Sequence, residues 1–192
     1  MNEPVQSEAR GRIGLICGCM FSGKSERLVV RIADAQQQSK SVVAFKHADD
    51  ARYAKGQIVT HSGWRADAYP VASASRMLEL AKHAQLVVID EAQFFGNDLV
   101  GACQQWRERG QDVVVAGLDF DAWGEPFGPI PALETIADEV TRTYAVCAVC
   151  SAPADHTQRI APFVGQKMVG GAEAYEPRCA KCFQPPPIER RR

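Results

Sequence analysis

Gly18-Cys19-Met20-Phe21-Ser22-Gly23-Lys24-Ser25 follows the apolar run Ile13-Gly14-Leu15-Ile16-Cys17 and opens a stretch with helical spacing, Lys24 to Gln38. The octet fits G-x-x-x-x-G-K-[ST], in which glycines let backbone N–H groups turn inward around phosphate oxygens. The helix that follows presents its positive N-terminal end to the same anion. In such a loop Lys24 reaches the β- and γ-phosphates of a nucleoside triphosphate, and Ser25 supplies a hydroxyl to Mg²⁺. A chance glycine turn would satisfy the pattern but not its setting. Here the octet lies between a strand and a helix, the context the motif requires.

Outward from the octet, apolar runs alternate with helical patterns. Leu28, Ile32 and Ala35 share one face of the first helix, and Arg27, Arg31 and Asp34 share the other. Ser41 to Lys46 reads as a second strand, and the polar stretch His47 to Arg65 as an irregular, partly mobile loop. Ser73 or Ser75 can cap a helix that buries Met77, Leu78 and Ala81. Leu86-Val87-Val88-Ile89-Asp90 is a buried strand ending in an acid. Asn97 is placed to cap a helix with Leu99, Cys103 and Trp106 on one face and Gly110 as its stop, and Val113 to Ala116 is another central strand.

This alternation, from residue 13 to about 138, predicts an α/β fold: a P-loop NTPase-like parallel sheet with helices on both faces. After Glu139 the texture changes to cysteine pairs, glycines and short β-like runs, which predicts a small C-terminal zinc-binding β subdomain. The expected organisation is a disordered N-terminus (1–11), the P-loop domain (12–138), a zinc-binding lasso subdomain (139–183) and a disordered tail (184–192).

Asp90 ends its strand where phosphate-loop proteins place the acid that holds Mg²⁺, directly or through water. Strand C-terminal ends are also where open α/β sheets bind ligands. Glu91 comes next. Beside a metal-holding carboxylate, a second one can accept a proton from a hydroxyl in a kinase or orient water in an ATPase, and spacing alone does not choose between them.

Cys147-x-x-Cys150 and Cys179-x-x-Cys182 give four thiolates at a spacing that suits tetrahedral, structural Zn²⁺. A redox Cys-x-x-Cys explains either pair alone but not both. The long gap between the pairs predicts a loop projecting from the module. Cys17, Cys19 and Cys103 read as buried small side chains or free thiols, and Cys19, inside the phosphate loop, is also a candidate for oxidation.

The 192 residues have 46% hydrophobic content, enough for a sizeable core, and a net charge of −1. The sequence pI of 6.4 argues against a general nucleic-acid partner. The one basic cluster, Arg190 to Arg192, follows Pro185 to Pro187 and reads as a solvated tail. No apolar stretch is long enough to span a bilayer, and the polar first ten residues lack a secretory core. A cytoplasmic location is expected, and there stable disulfides are rare.

Gly18-x-Met20-Phe21-Ser22-Gly23-Lys24-Ser25, Asp90-Glu91-Ala92-Gln93-Phe94-Phe95 and Gly117-Leu118-Asp119 occur in that order. Gly124 to Gly128, the paired cysteines and Gly170-Gly171-Ala172-x-x-Tyr175 complete the set. Over roughly residues 12 to 183 the chain resembles the zinc-containing, type II thymidine kinases. The resemblance implies transfer of the ATP γ-phosphate to the 5′-hydroxyl of thymidine, and possible use of deoxyuridine. It makes Glu91 the general base and Asp90 the Mg²⁺-associated acid, and puts Gln93 in the nucleotide-contacting segment. Thymine would lie between the α/β domain and the loop of the zinc module, gripped by main-chain groups of Met168, Val169, Gly170 and Gly171 and closed by Tyr175. Met20, Phe94, Leu118, Phe127 and Thr157 match the pocket lining.

The chain departs from many relatives at Ala122, where they carry an aromatic; Trp123 is the candidate to supply that surface. Asp50, Arg52 and His61 match polar-loop positions near the phosphates, and Arg52 could stabilise charge on the transferring group. A homotetramer inhibited by dTTP is implied by resemblance alone. The competing reading is a nucleotide switch or ATPase whose zinc module binds a protein or nucleic acid. Lys167, Arg178 and Lys181 are too sparse to form the basic stripe it would need.

Overall fold

The β-branched runs read from the sequence form one sheet in the computed structural model, which describes residues 10–50, 56–60, 62–161 and 170–185. Arg52, His61, Met168 and Val169 lie outside the described residues, as do 1–9 of the expected N-terminal tail and 186–192 of the C-terminal one. In chain order the first elements are β1 (Ile13–Gly18), α1 (Lys24–Gln37), β2 (Val42–His47), β3 (Gln57–Val59), β4 (Arg65–Asp67), β5 (Tyr69–Val71), α2 (Ala74–Leu80) and β6 (Leu86–Ile89). A short 3₁₀ turn (Ala92–Phe94), α3 (Asp98–Glu108), β7 (Asp112–Gly117), α4 (Ile130–Ile136) and β8 (Glu139–Thr143) follow. The C-terminal module adds β9 (Ala145–Val146), β10 (Pro153–Ala154), β11 (His156–Arg159) and β12 (Tyr175–Arg178).

The six-stranded sheet has the order β5-β2-β6-β7-β1-β8, with every pairing parallel. Successive side chains of a strand face opposite sides, and β1 shows the consequence. Ile13, Leu15 and Cys17 join one core with Met77, Leu99, Trp106 and Leu133 of α2, α3 and α4. Ile16 joins a second core with Leu28, Val29 and Ile32 of α1. Both faces are therefore covered, as the alternating pattern predicts. Trp106 is fully buried and fixes α3 to the sheet; truncating such a side chain costs about 3–5 kcal/mol.

Three local expectations are revised. Glu139–Thr143, assigned from the sequence to the zinc subdomain, is the sixth strand of the main sheet and pairs with Gly14–Gly18. Its pattern is mostly exposed because it is an edge, so it lacks the apolar signature of a central strand. Within the polar stretch 47–65, residues of β3 pair antiparallel with β4 through Gln57↔Asp67. Asn97 caps α3 by position only, with no side-chain hydrogen bond, whereas Ser73 accepts from the Arg76 N–H at 3.4 Å as a capping serine should. The helix α4 carries proline in its first turn and follows Pro129.

The module after β8 consists of two small antiparallel pairs, β9 with β10 and β11 with β12. The Phe120 ring stacks on His156 at 5.4 Å, and His156 in turn contacts Phe183 at 4.6 Å. These rings pin the module to the loop after β7.

Candidate active site

The octet folds as the motif requires. Gly18, at φ 148, ends β1 where a Cβ would come within 2.2 Å of the Thr143 carbonyl oxygen. Gly23, at φ 81, leads into α1 in a left-handed conformation that glycine tolerates without strain. The loop is tied down mainly by partners far away in sequence. The Met20 N–H donates to Thr157 Oγ1 at 3.0 Å, and the Cys19 thiol donates to the Ala154 carbonyl at 3.2 Å. Ser22 Oγ lies 2.7 Å from Thr143 Oγ1. The zinc module thus holds the phosphate loop directly.

Lys24 is buried, and its Nζ donates to the Cys19 carbonyl at 2.6 Å. Burial pulls its pKa down, while the charges of Glu91, Asp90 and Asp119 act in the opposite sense. Ser25 Oγ donates to Asp90 Oδ2 at 3.1 Å, which brings the two expected Mg²⁺-associated groups into contact. Asp90 also accepts the Glu91 N–H through Oδ1 at 3.0 Å. Glu91 has φ 54, and Phe21 of the phosphate loop has φ 64. Left-handed backbone at a non-glycine residue costs about 1–3 kcal/mol and collects at functional sites. One cleft is lined by Lys24, Ser25, Asp90 and Glu91 together with Met20, Leu118 and Gly171.

Met20, Leu118 and Tyr175 form one apolar cluster with Ala174, and Phe127 packs against it. Ala122 packs there as well; Trp123, the candidate to fill in for a missing aromatic, is not among its members. Phe94 meets Phe127 edge-to-face at 5.9 Å. Gly170 abuts Tyr175, and the Gly171 carbonyl accepts from the Ala174 and Tyr175 N–H groups. The Thr157 hydroxyl is engaged with the Met20 N–H. Gln93 is 1% exposed and spans the Leu118 N–H and Glu91, so its amide is turned inward. Cys19 is buried, and burial pushes its pKa up.

Two groups at the site, Asp119 and Lys46, were not singled out by sequence reasoning. Asp119 lies just beyond β7, pairs with Arg142 at 3.6 Å, and its charge acts to raise the Lys24 pKa. Burial raises its pKa, and its Oδ1 has no hydrogen-bond partner among the described residues. Lys46 and Asp50 form a buried ion pair at 3.2 Å on the rim of the same cleft. Asp119 and Lys46 both sit at C-terminal ends of parallel strands, the position that could have flagged them.

Cys147, Cys150, Cys179 and Cys182 place their sulfurs within 4.8 Å of one another, so the four are positioned to bind a metal such as zinc. Tetrahedral Zn–S bonds of ~2.3 Å put the sulfurs ~3.8 Å apart, and Cys150 and Cys179 are 3.6 Å apart. Burial raises the Cys147 pKa, but backbone N–H groups of Cys179, Cys150 and Val149 outweigh it and bring the thiol to about 6. Hydrogen bonding with Cys150 and Cys179 pushes Cys182 up to about 12. Crowded thiols of this kind need a cation before all four can ionise. Among the described residues no helix is long and apolar enough to cross a membrane.

Comparison with known proteins agrees with this geometry. A family model described as thymidine kinase matches residues 11–183. The chain is 47% identical over 187 residues to the thymidine kinase of Rhodothermus sp. (strain ITI 518), covering 96% of this chain and 88% of that protein. It is 41% identical over 179 residues to the thymidine kinase of Bacteroides fragilis (strain YCH46), covering 93% of this chain and 90% of that one. Because the family match extends from before the first strand to beyond the last cysteine, the chain belongs to the thymidine kinase family.

Proposed function

We propose that this chain transfers the γ-phosphate of ATP to the 5′-hydroxyl of thymidine, giving dTMP and ADP. The observation that carries the reading is the single cleft in which Lys24 and Ser25 meet Glu91, Leu118 and Gly171. Donor and acceptor groups there face one space. The phosphate loop and the N-terminus of α1 hold the triphosphate, and Lys24 exchanges its bond with the Cys19 carbonyl for the β- and γ-phosphate oxygens. Ser25 and Asp90 would hold Mg²⁺, which would supply neutralising charge to those phosphates. The apolar cluster of Met20, Leu118, Phe127 and Tyr175 takes the planar base, with Gly170 and Gly171 supplying main-chain groups.

Glu91 accepts the proton of the 5′-hydroxyl as its oxygen attacks the γ-phosphorus. The bond from that phosphorus to the β,γ-bridging oxygen breaks, and ADP leaves with the electron pair. Cys147, Cys150, Cys179 and Cys182 would hold Zn²⁺ in a structural role, since four protein thiolates would fill a tetrahedral site. By the same family reading the enzyme is a cytoplasmic homotetramer inhibited by dTTP, and it neither binds nucleic acid nor sits in a membrane.

Purified protein with ATP, Mg²⁺ and each nucleoside in turn tests the reading. Thymidine should be phosphorylated, and deoxyuridine comparably or more weakly. ATP turnover indifferent to nucleoside would favour the hydrolytic switch instead. Glu91→Gln should abolish transfer and leave ATP binding intact. Size-exclusion chromatography with light scattering checks the tetramer.

A further inference from the structure

Gln93 lies two residues after the proposed base, in the 3₁₀ turn Ala92–Phe94, and is 1% exposed. In a regular helix, residues two apart do not face each other. The left-handed turn at Glu91, φ 54, changes that and brings the two side chains into contact. The amide orientation is decided by its second partner. The Leu118 N–H is a donor only, and it meets Gln93 Oε1 at 3.0 Å. Gln93 Nε2 must then face the other way, where it donates to Glu91 Oε2.

The surroundings are pared back to admit this side chain. A Cβ on Gly117 would lie 3.0 Å from Gln93 Oε1 and 2.5 Å from Ile130 Cδ1. One on Gly128, at φ 55, would lie 2.3 Å from the Gln93 carbonyl oxygen. Two chain segments therefore approach Gln93 as only glycine allows. The cleft that holds the phosphate loop is not lined by Gln93.

We infer that Gln93 is a positioning residue: it anchors Glu91 to the end of β7 through the Leu118 N–H and keeps the carboxylate oriented for proton acceptance. The inference rests on the reading of Glu91 as the base. A small displacement of a catalytic group costs as much as a hundredfold in rate.

Two variants test it. Gln93→Glu keeps the shape and the acceptor for Leu118 N–H but removes the neutral donor to Glu91; Gln93→Leu removes both bonds. Thermal melting reports whether each is folded, and Gln93→Leu, which buries no second carboxylate beside Glu91, is the variant expected to stay nearer the wild-type melting temperature. Both should lose about ten- to hundredfold in kcat. KM for ATP and for thymidine should stay within about twofold. A rise in KM for ATP at unchanged kcat would make Gln93 a nucleotide contact and overturn the inference. Unchanged kcat in Gln93→Glu alongside an inactive Glu91→Gln would leave the base in place and remove only the positioning role. Wild-type turnover by Glu91→Gln would overturn the base and the positioning role together.

Discussion

Thr157→Val isolates one bond between the zinc module and the phosphate loop. Thr157 is 2% exposed on β11, and its Oγ1 takes the Met20 N–H at 3.0 Å. Valine keeps the shape and suits a strand, so the change removes an acceptor with little else. A buried N–H left without a partner costs about 1–3 kcal/mol. Taking ~2 kcal/mol, the melting temperature should fall by roughly 4–8 °C for a chain of this size. The loop would keep the bond from the Cys19 thiol to the Ala154 carbonyl but lose the one beside it. If ~1 kcal/mol of that cost is loop ordering recovered on binding, KM for ATP rises about fivefold. Thermal melting and steady-state kinetics measure both quantities. Thr157→Ser, which keeps the hydroxyl, should retain ATP affinity. Equal effects of Ser and Val on KM for ATP would refute the reasoning, because the hydroxyl that serine keeps and valine lacks would then make no difference.

Other perturbations have defined outcomes. Gly128→Ala puts a Cβ 2.3 Å from the Gln93 carbonyl oxygen at φ 55, so chemical denaturation should show a loss of about 2–4 kcal/mol. After treatment with a strong chelator, a thiol reagent should count the four cysteines of the cluster as fast. Cys19, packed against Cys147 and Ala154, should follow, and Cys103 should stay slow. Burial raises the Cys103 thiol to about 12 from 9.0, so the unfolded chain gives up this proton first as pH rises. Its contribution to stability is complete below pH 9 and is lost towards pH 12, with a slope of at most ~1.4 kcal/mol per pH unit. Urea unfolding of Cys103→Val across that window should show a correspondingly flatter dependence.

The fold was legible where residues act through local pattern. Leu86–Ile89 and Val113–Ala116 are apolar on both faces because helices cover both, and that reads directly as central strands. Glu139–Thr143 was not legible, since an edge strand buries little and its partner, Gly14–Gly18, lies more than a hundred residues earlier. Lys46 escaped notice because a buried cation is indistinguishable in sequence from an exposed one until its partner Asp50 is placed.

By itself the sequence determined the phosphate loop, the Asp90–Glu91 strand end and the four cysteines. Each is a short motif whose chemistry follows from spacing along a few residues. Only the tertiary structure decided how they cooperate. The Met20 N–H finds its acceptor at Thr157, the Cys19 thiol at Ala154, and the Gln93 amide finds its donor at Leu118. These bonds join residues brought together by the sheet and by the docking of the zinc module. Hydrogen bonding requires partners about 3 Å apart, a condition on position in space that separation along the chain does not encode.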